Sequence, residues 1–340
     1  MNATIAAVLI AKDEEKVIGR CLEVLQELDE IVVLDTGSQD GTCLEAERHG
    51  ATVFRTPPIQ PFHFAEARNR ALAHAKSKWI LTIDADEILL PESTWAIRRA
   101  VGFSRHTAFR VGFRHPPTEH GPAVTIPKTK LFKKDAWLWR YRVHEELHPV
   151  LSPSPIGEIQ EATIEHLPEK DKASRSGQNL ELLKIAVVET PWHLLAWKKL
   201  GMEYFLRKEW TEAIRYLEEF VRRGEETPLE KSETLINLGR AYQKTDRLED
   251  AIKFFDAAAR TAPDRREPHW HAALAFMEKS ILWEAVPRLE ACLAIPVSRK
   301  PSFWLNLEPV WGTLPKEALE TTRAELARAK ALWEAKKADA

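Results

Sequence analysis

Trp79-Ile80-Leu81-Thr82-Ile83-Asp84-Ala85-Asp86 is the stretch on which the fold turns. Its first five residues form a short apolar run of the kind that makes a buried strand. Two acids flanking one residue follow. With 51 acids in 340 residues, about eight such triplets are expected by chance, so the pattern has weight only from its position. Here the acids stand just past the carboxyl end of a strand, the rim at which open α/β sheets place ligands. Carboxylates there offer hard oxygen ligands to a divalent cation, and the cation can bridge a diphosphate. The plain alternative is a solvated turn with a helix cap.

Upstream, Thr4 to Ile10 is an apolar run rich in β-branched residues, hence a first strand. Asp13-Glu14-Glu15 opens a helix with acids in its first turn, and Val17, Ile18, Cys21, Leu22 and Leu25 recur at helical spacing. Glu30 to Asp35 is a second strand capped by an acid, followed by the polar loop Thr36-Gly37-Ser38-Gln39-Asp40-Gly41-Thr42. A helix through Ala46, a short strand from Thr52 to Phe54 and a helix from Phe64 lead into the strand before Asp84. Strands and helices alternate as in βαβ units, which predicts a largely parallel sheet with Asp35 and Asp84 on the same edge.

The set Ile10-Ala11-Lys12-Asp13-Glu14-Glu15, Val33 to Thr42, Ala67-Arg68-Asn69, Ile83 to Glu87, Lys130-Leu131-Phe132 and Arg142-Val143-His144-Glu145-Glu146 resembles the family 2 glycosyltransferases of the GT-A fold. The resemblance covers about the first 150 residues, in order and at natural spacings. Its one departure is Asp13, where the family more often has Asn. It implies a nucleotide-sugar donor (a UDP-sugar), a divalent cation (Mn²⁺ or Mg²⁺) and glycosyl transfer, expected to be inverting. By position, Ala11, Glu14 and Asp35 would contact the nucleoside, and Arg68 would steady the loop or the diphosphate. Asp84 would face the ribose or sugar, and Asp86 would bind the metal. On the residues alone, Arg68 can instead pair with an acid on the sheet rim, and Asp40 reads as a loop or cap residue.

A second constellation is Trp137-Leu138-Trp139-Arg140-Tyr141-Arg142-Val143-His144-Glu145-Glu146-Leu147, in which aromatic and basic residues alternate before a His-Glu pair. One reading is an edge strand with a solvated polar face. In the functional reading His144 is a metal ligand or diphosphate donor, Glu145 or Glu146 is the base that deprotonates the acceptor, and Arg140 and Arg142 can bind phosphate. Trp137 and Trp139 either stack on a sugar or are buried. Pro116, Pro117, Gly121, Pro122 and Pro127 predict a loop, and Ser152-Pro153-Ser154-Pro155 an exit from the catalytic core. His166 is a candidate that returns to the site.

From about residue 176 amphipathic runs replace strands. Trp197, Leu200, Gly201, Tyr204, Ala213, Leu217 and Phe220 set a frame that Leu235, Leu238, Gly239, Tyr242, Ala251, Phe255, Ala258 and Pro263 repeat with a four-residue slip. A weaker third copy runs through Trp270, Phe276, Ala285, Leu289 and Pro296. This spacing resembles the tetratricopeptide repeat, a helix–turn–helix unit whose arrays offer a concave surface to peptides or other subunits. The expected organisation is therefore an α/β GT-A domain over residues 1–168, all-α repeats over 169–313, and a capping helix with a frayed tail over 314–340.

The net charge of −2 and the lack of a long basic block argue against nucleic acid. Cys21, Cys43 and Cys292 are few and scattered, as in a reducing compartment. No run reaches membrane-spanning length and the first strand begins at once, so a cytoplasmic protein is expected. The acceptor is either a peptide or protein side chain or a glycan. Two other functions remain open at this stage: a repeat scaffold with an inactive transferase domain, and a nucleotidyltransferase.

Overall fold

The computed structural model describes residues 3–102, 104–117, 123–152, 154–167, 176–297 and 308–338. The chain divides into two compact units, Met1–Pro191 and Trp192–Ala340.

The first unit is built on β1 (Ile5–Ala11), α1 (Glu15–Glu23), β2 (Glu30–Asp35), α2 (Thr42–Arg48), β3 (Thr52–Arg55), α3 (Phe64–His74) and β4 (Trp79–Thr82). It continues with β5 (Glu87–Leu89), α4 (Ser93–Gly102), β6 (Ala108–His115), β7 (Val124–Lys133), β8 (Trp137–Arg140), β9 (Glu146–Pro149), β10 (Ile156–His166) and α5 (Ser176–Glu189). Eight strands form one sheet in the order β3-β2-β1-β4-β7-β6-β10-β5. β3, β2, β1 and β4 run parallel, as the βαβ spacing predicts. β1 and β4 are buried over almost their whole length because helices cover both faces. The far half is mixed: β7 lies antiparallel to both β4 and β6, β10 runs parallel to β6, and β5 closes the edge antiparallel to β10.

Three local expectations change. The Trp137 to Leu147 stretch is not one strand but a separate two-stranded ribbon, β8 with β9. The chain reverses between them because Tyr141 and His144 adopt left-handed φ of 74° and 52°. Pro127 is not in a loop; it lies in β7 opposite Gly112. It is tolerated because β4 pairs only with Leu131 to Lys133, so at Pro127 the other side of β7 needs no N–H donor. The chain does not leave the core at Ser152 to Pro155 either, since β10 re-enters the sheet between β6 and β5. Gly121, Pro122 and Pro153 lie outside the described residues.

The second unit is a series of antiparallel helix pairs: α6 (Leu194–Leu206) with α7 (Trp210–Arg223), α8 (Pro228–Lys244) with α9 (Leu248–Thr261), and α10 (Glu267–Glu278) with α11 (Leu282–Ala294). α12 (Glu308–Trp311) and α13 (Leu314–Ala338) follow. Each pair turns on one non-glycine residue with positive φ: Lys208, Asp246 and Ser280. Gly201 and Gly239 hold equivalent places, and a Cβ there would come 2.7 Å from Leu217 and 2.6 Å from Phe255, so only glycine lets these paired helices approach so closely. Among the described residues no helix is long and apolar enough to cross a membrane.

Candidate functional site at the carboxyl edge of the sheet

Two clusters form where the parallel strands end. The first joins β1 and β2. Ala11, 3% exposed, pairs in register with Asp35, 5% exposed. Asp35 turns the chain after β2 by accepting from the backbone N–H groups of Gly37 (3.3 Å) and Ser38 (3.0 Å), and Gly37 supplies the positive φ of 111° that this turn needs. The loop is wired back to the start of α1. The Asp13 carboxylate accepts from Gln39 N–H at 2.7 Å, and the buried Glu14 donates its N–H to Thr42 Oγ1 at 2.7 Å. Asp40 accepts from the Thr42 and Glu15 backbone N–H groups, a cap as its sequence suggests.

The second cluster lies past β4 and is held by Arg68 from α3. Its Nη2 donates to Asp84 Oδ1 at 2.9 Å, and its Nε donates to Glu145 Oε1 at 2.6 Å. The guanidinium also lies 5.0 Å from the centre of the Trp139 ring. Burial alone would push the Asp84 carboxyl up, but the Arg68 guanidinium and then the Lys130 ammonium hold it far below the ordinary carboxylate range. The arginine therefore does pair with an acid on the sheet rim, and in doing so it brings the Asp84 and Glu145 motifs together. Asn69, the next residue, docks α3 on the ribbon: its amide donates to Trp139 O and accepts from Trp139 N–H, both at 2.9 Å, as a paired strand would. The sequence reading gave Asn69 no role; its adjacency to Arg68 in a motif that needs both was the available signal.

Asp86 is half-buried, and His166 Nε2 stands 3.6 Å from its Oδ2. The end of β10 thus does return to the acid pair. Glu87 is buried and takes Lys130 Nζ on both oxygens, at 2.8 and 2.7 Å. Burial still pushes the Glu87 carboxyl up. Cys21 lies beneath, donating to Asp84 O at 3.4 Å, and its thiol is pushed well up by burial.

The remaining candidates separate. The Arg142 guanidinium is engaged by protein groups on all three nitrogens. Nε and Nη2 donate to the Glu189 carboxylate of α5 at 2.8 and 2.7 Å, and Nη1 donates to Pro61 O and Phe62 O at 2.6 and 2.8 Å. His144 stands in the left-handed turn between Arg142 and Glu145. Glu146 begins β9, is 44% exposed, and faces His148 Nε2 at 3.3 Å. Trp137 is buried and donates from Nε1 to Thr107 Oγ1 at 3.2 Å, so it packs rather than stacking on a ligand.

No group of three or more His, Cys, Asp or Glu able to hold a metal ion occurs among the described residues. A divalent cation bound through one or two carboxylates and the phosphates of a substrate needs no such cage. Asp86 fits that mode: its oxygens are hard ligands at the strand end, and Arg68 and Lys130 take up the neighbouring Asp84 and Glu87.

Residues 6–102 match the model for glycosyl transferase family 2, and residues 234–268 match that for a tetratricopeptide repeat. A TPR repeat-containing protein of Synechococcus elongatus is 27% identical over 278 residues, covering 77% of this chain and 67% of that protein. The lipopolysaccharide core biosynthesis glycosyltransferase LpsC of Rhizobium meliloti is 30% identical over 126 residues, 33% of this chain and 46% of LpsC, so the chain spans less than half of that relative. The crystal structure of S. aureus TarS is similar with a TM-score of 0.45 and 14% identity, over 72% of this chain and 54% of TarS. The glycosyl transferase family 2 match thus falls on the elements from β1 to α4, and the tetratricopeptide match falls on α8, α9 and the start of α10.

Proposed function

We propose that the chain is a cation-dependent, inverting glycosyltransferase that moves a sugar from a UDP-sugar to a saccharide acceptor. The observation that carries this reading is the Asp84–Arg68–Glu145 link, which joins the acid pair after β4 to the Arg-Val-His-Glu turn 61 residues later in sequence, as the separations of 16 and 77 residues give by difference. Ala11, Glu14 and Asp35 then form the nucleoside end of the site. Asp35 uses the lone pairs not taken by Gly37 and Ser38 to accept from a base N–H or a ribose hydroxyl. Asp84 faces the ribose or sugar with Oδ1 fixed by Arg68. Asp86 holds the cation, with His144 as its candidate second ligand. When bound, that cation neutralises charge on the departing nucleoside diphosphate.

Glu145 takes the proton from the acceptor hydroxyl on the face opposite the leaving group. Arg68 on Oε1 fixes the carboxylate and leaves Oε2 for the acceptor. Glu146, with its side chain 44% exposed beside His148, is the less suited of the two acids. The saccharide acceptor is preferred to a peptide because LpsC, which is similar over the same kind of domain, is named for lipopolysaccharide core synthesis. The repeats then either present the acceptor or stabilise the enzyme.

Calorimetry with UDP tests the reading. UDP should bind the protein in the presence of Mn²⁺, and Asp86→Ala should abolish the cation-dependent part while leaving the thermal unfolding transition in place. An enhancement of UDP affinity by Mn²⁺ in Asp86→Ala equal to that in the parent protein would remove Asp86 from the site.

A further inference from the structure

The sheet beyond the acid pair carries positive charge that the transfer chemistry does not use. Lys128 and Lys130 project from β7 onto Phe113 of β6, with Nζ 3.4 and 5.2 Å from the ring centre. Lys130 is matched by Glu87. Lys128 has no carboxylate within ion-pair distance among the described residues. His115, at the end of β6, stacks edge-on against Phe113 at 5.1 Å and against His166 at 5.6 Å. One patch of β7, β6 and β10 therefore gathers an ammonium and two imidazoles. Three of the acids around it are paired, Asp84 with Arg68, Glu87 with Lys130 and Glu165 with Arg114 at 3.4 Å, and Asp86 stands 3.6 Å from His166 Nε2.

A half-buried ammonium with no carboxylate at ion-pair distance is costly unless an anion joins it. Burial and the neighbouring Lys130 pull the Lys128 ammonium below its usual value, and burial and then Lys128 do the same to His115. The Lys128 ammonium lies over the Phe113 ring without a carboxylate at ion-pair distance, beside the exposed His115, which suits it to a small oxyanion.

We propose that Lys128 and His115, backed by His166 and floored by Phe113, form a subsite for an oxyanion carried by the acceptor, a phosphate or a carboxylate near the hydroxyl that receives the sugar. That the ligand is an acceptor rests on the glycosyltransferase reading; the oxyanion site itself does not. The patch lies on β7, β6 and β10 in the mixed half of the sheet, whereas Ala11, Glu14 and Asp35 lie at the parallel half.

The test is a titration of the full chain, labelled at histidine, with inorganic phosphate and separately with acetate, followed by NMR with UDP and Mn²⁺ absent or saturating. Saturable shifts of the His115 ring signals are expected in both conditions. Lys128→Met should weaken the response at least about tenfold, and Lys128→Arg should keep it. A stronger response to phosphate assigns a phosphate-bearing acceptor, and a stronger response to acetate assigns a carboxylate-bearing one. Three results overturn the proposal: no saturable shift with either anion, an unchanged response in Lys128→Met, or displacement of the anion by UDP with Mn²⁺, which would give the patch to the donor diphosphate. UDP binding without an anion response sinks the subsite and spares the transferase; an anion response without UDP binding does the reverse.

Discussion

Arg68 is the residue on which the site depends. Its planar fork reaches two carboxylates at once, which a lysine point charge cannot do with the same geometry. Arg68→Met should destabilise the protein by about 2–3 kcal/mol in urea unfolding. This is less than the about 3–5 kcal/mol for breaking a fully buried pair, because Asp84 keeps 36% of its side chain exposed. The pH dependence has a definite sign. The folded Asp84 carboxyl lies below its unfolded value of 3.8, so its contribution is complete above that value and is lost as pH falls through the folded one. In Arg68→Met burial is opposed chiefly by Lys130, the carboxyl rises, and the deficit against the parent protein should narrow as pH falls below 3.8. A deficit that is independent of pH would show that the pair contributes only packing. Asp84, Arg68 and Glu145 were each singled out in the sequence by their motifs. That one guanidinium joins them was not legible there, because 77 residues separate Arg68 from Glu145 and no local pattern records a contact of that span.

At the scale of elements, α3 and the β8–β9 ribbon act as one part. Asn69 pairs with Trp139, Phe64 N–H donates to Arg142 O at 2.8 Å, and Arg142 ties the Pro61–Phe62 segment to α5 through Glu189. The His63 ring caps α3 by accepting from Glu66 N–H at 3.2 Å, and burial and then Arg142 hold that imidazole below its usual value, in the neutral form that can accept. Glu189→Gln removes the carboxylate that meets the buried Arg142 and replaces one of its two accepting oxygens with an NH2 donor. It should cost about 1–2 kcal/mol and lower turnover more than UDP affinity, since the turn it steadies carries Glu145 rather than the nucleoside end. Equal loss of UDP affinity and turnover, or no change in either, would contradict that assignment. The parallel elements from β1 to β4 were readable because each buries a short apolar run between turn residues. The ribbon and β7 were not. Tyr141 and His144 adopt left-handed backbone that bulky residues rarely take, and Pro127 is admitted to a strand only by the short reach of β4.

At the scale of the molecule, the chain is two units with separate cores. The first gathers β1, β4, α1 and α4 around Leu9, Ile18, Trp79, Leu81 and Ile97; the second closes around Trp270, Leu289, Cys292 and Trp311. The helical period, Gly201 and Gly239 disclosed the repeats, and Lys208, Asp246 and Ser280 show the third pair turning as the first two do. Helix α5 falls in the first unit, where Glu189 meets Arg142, although its composition reads as the start of the repeats. What joins these features is the claim that the carboxyl edge of the first sheet transfers sugar with Glu145 as the base. The most direct measurement is the rate of UDP release from UDP-sugar, with Mn²⁺ present, for the parent protein, Glu145→Gln and Glu146→Gln, alongside UDP affinity for each. The account predicts a fall of about 10²–10⁴-fold in Glu145→Gln with UDP affinity kept, and little change in Glu146→Gln. A full rate in Glu145→Gln, or the large loss in Glu146→Gln instead, would contradict it.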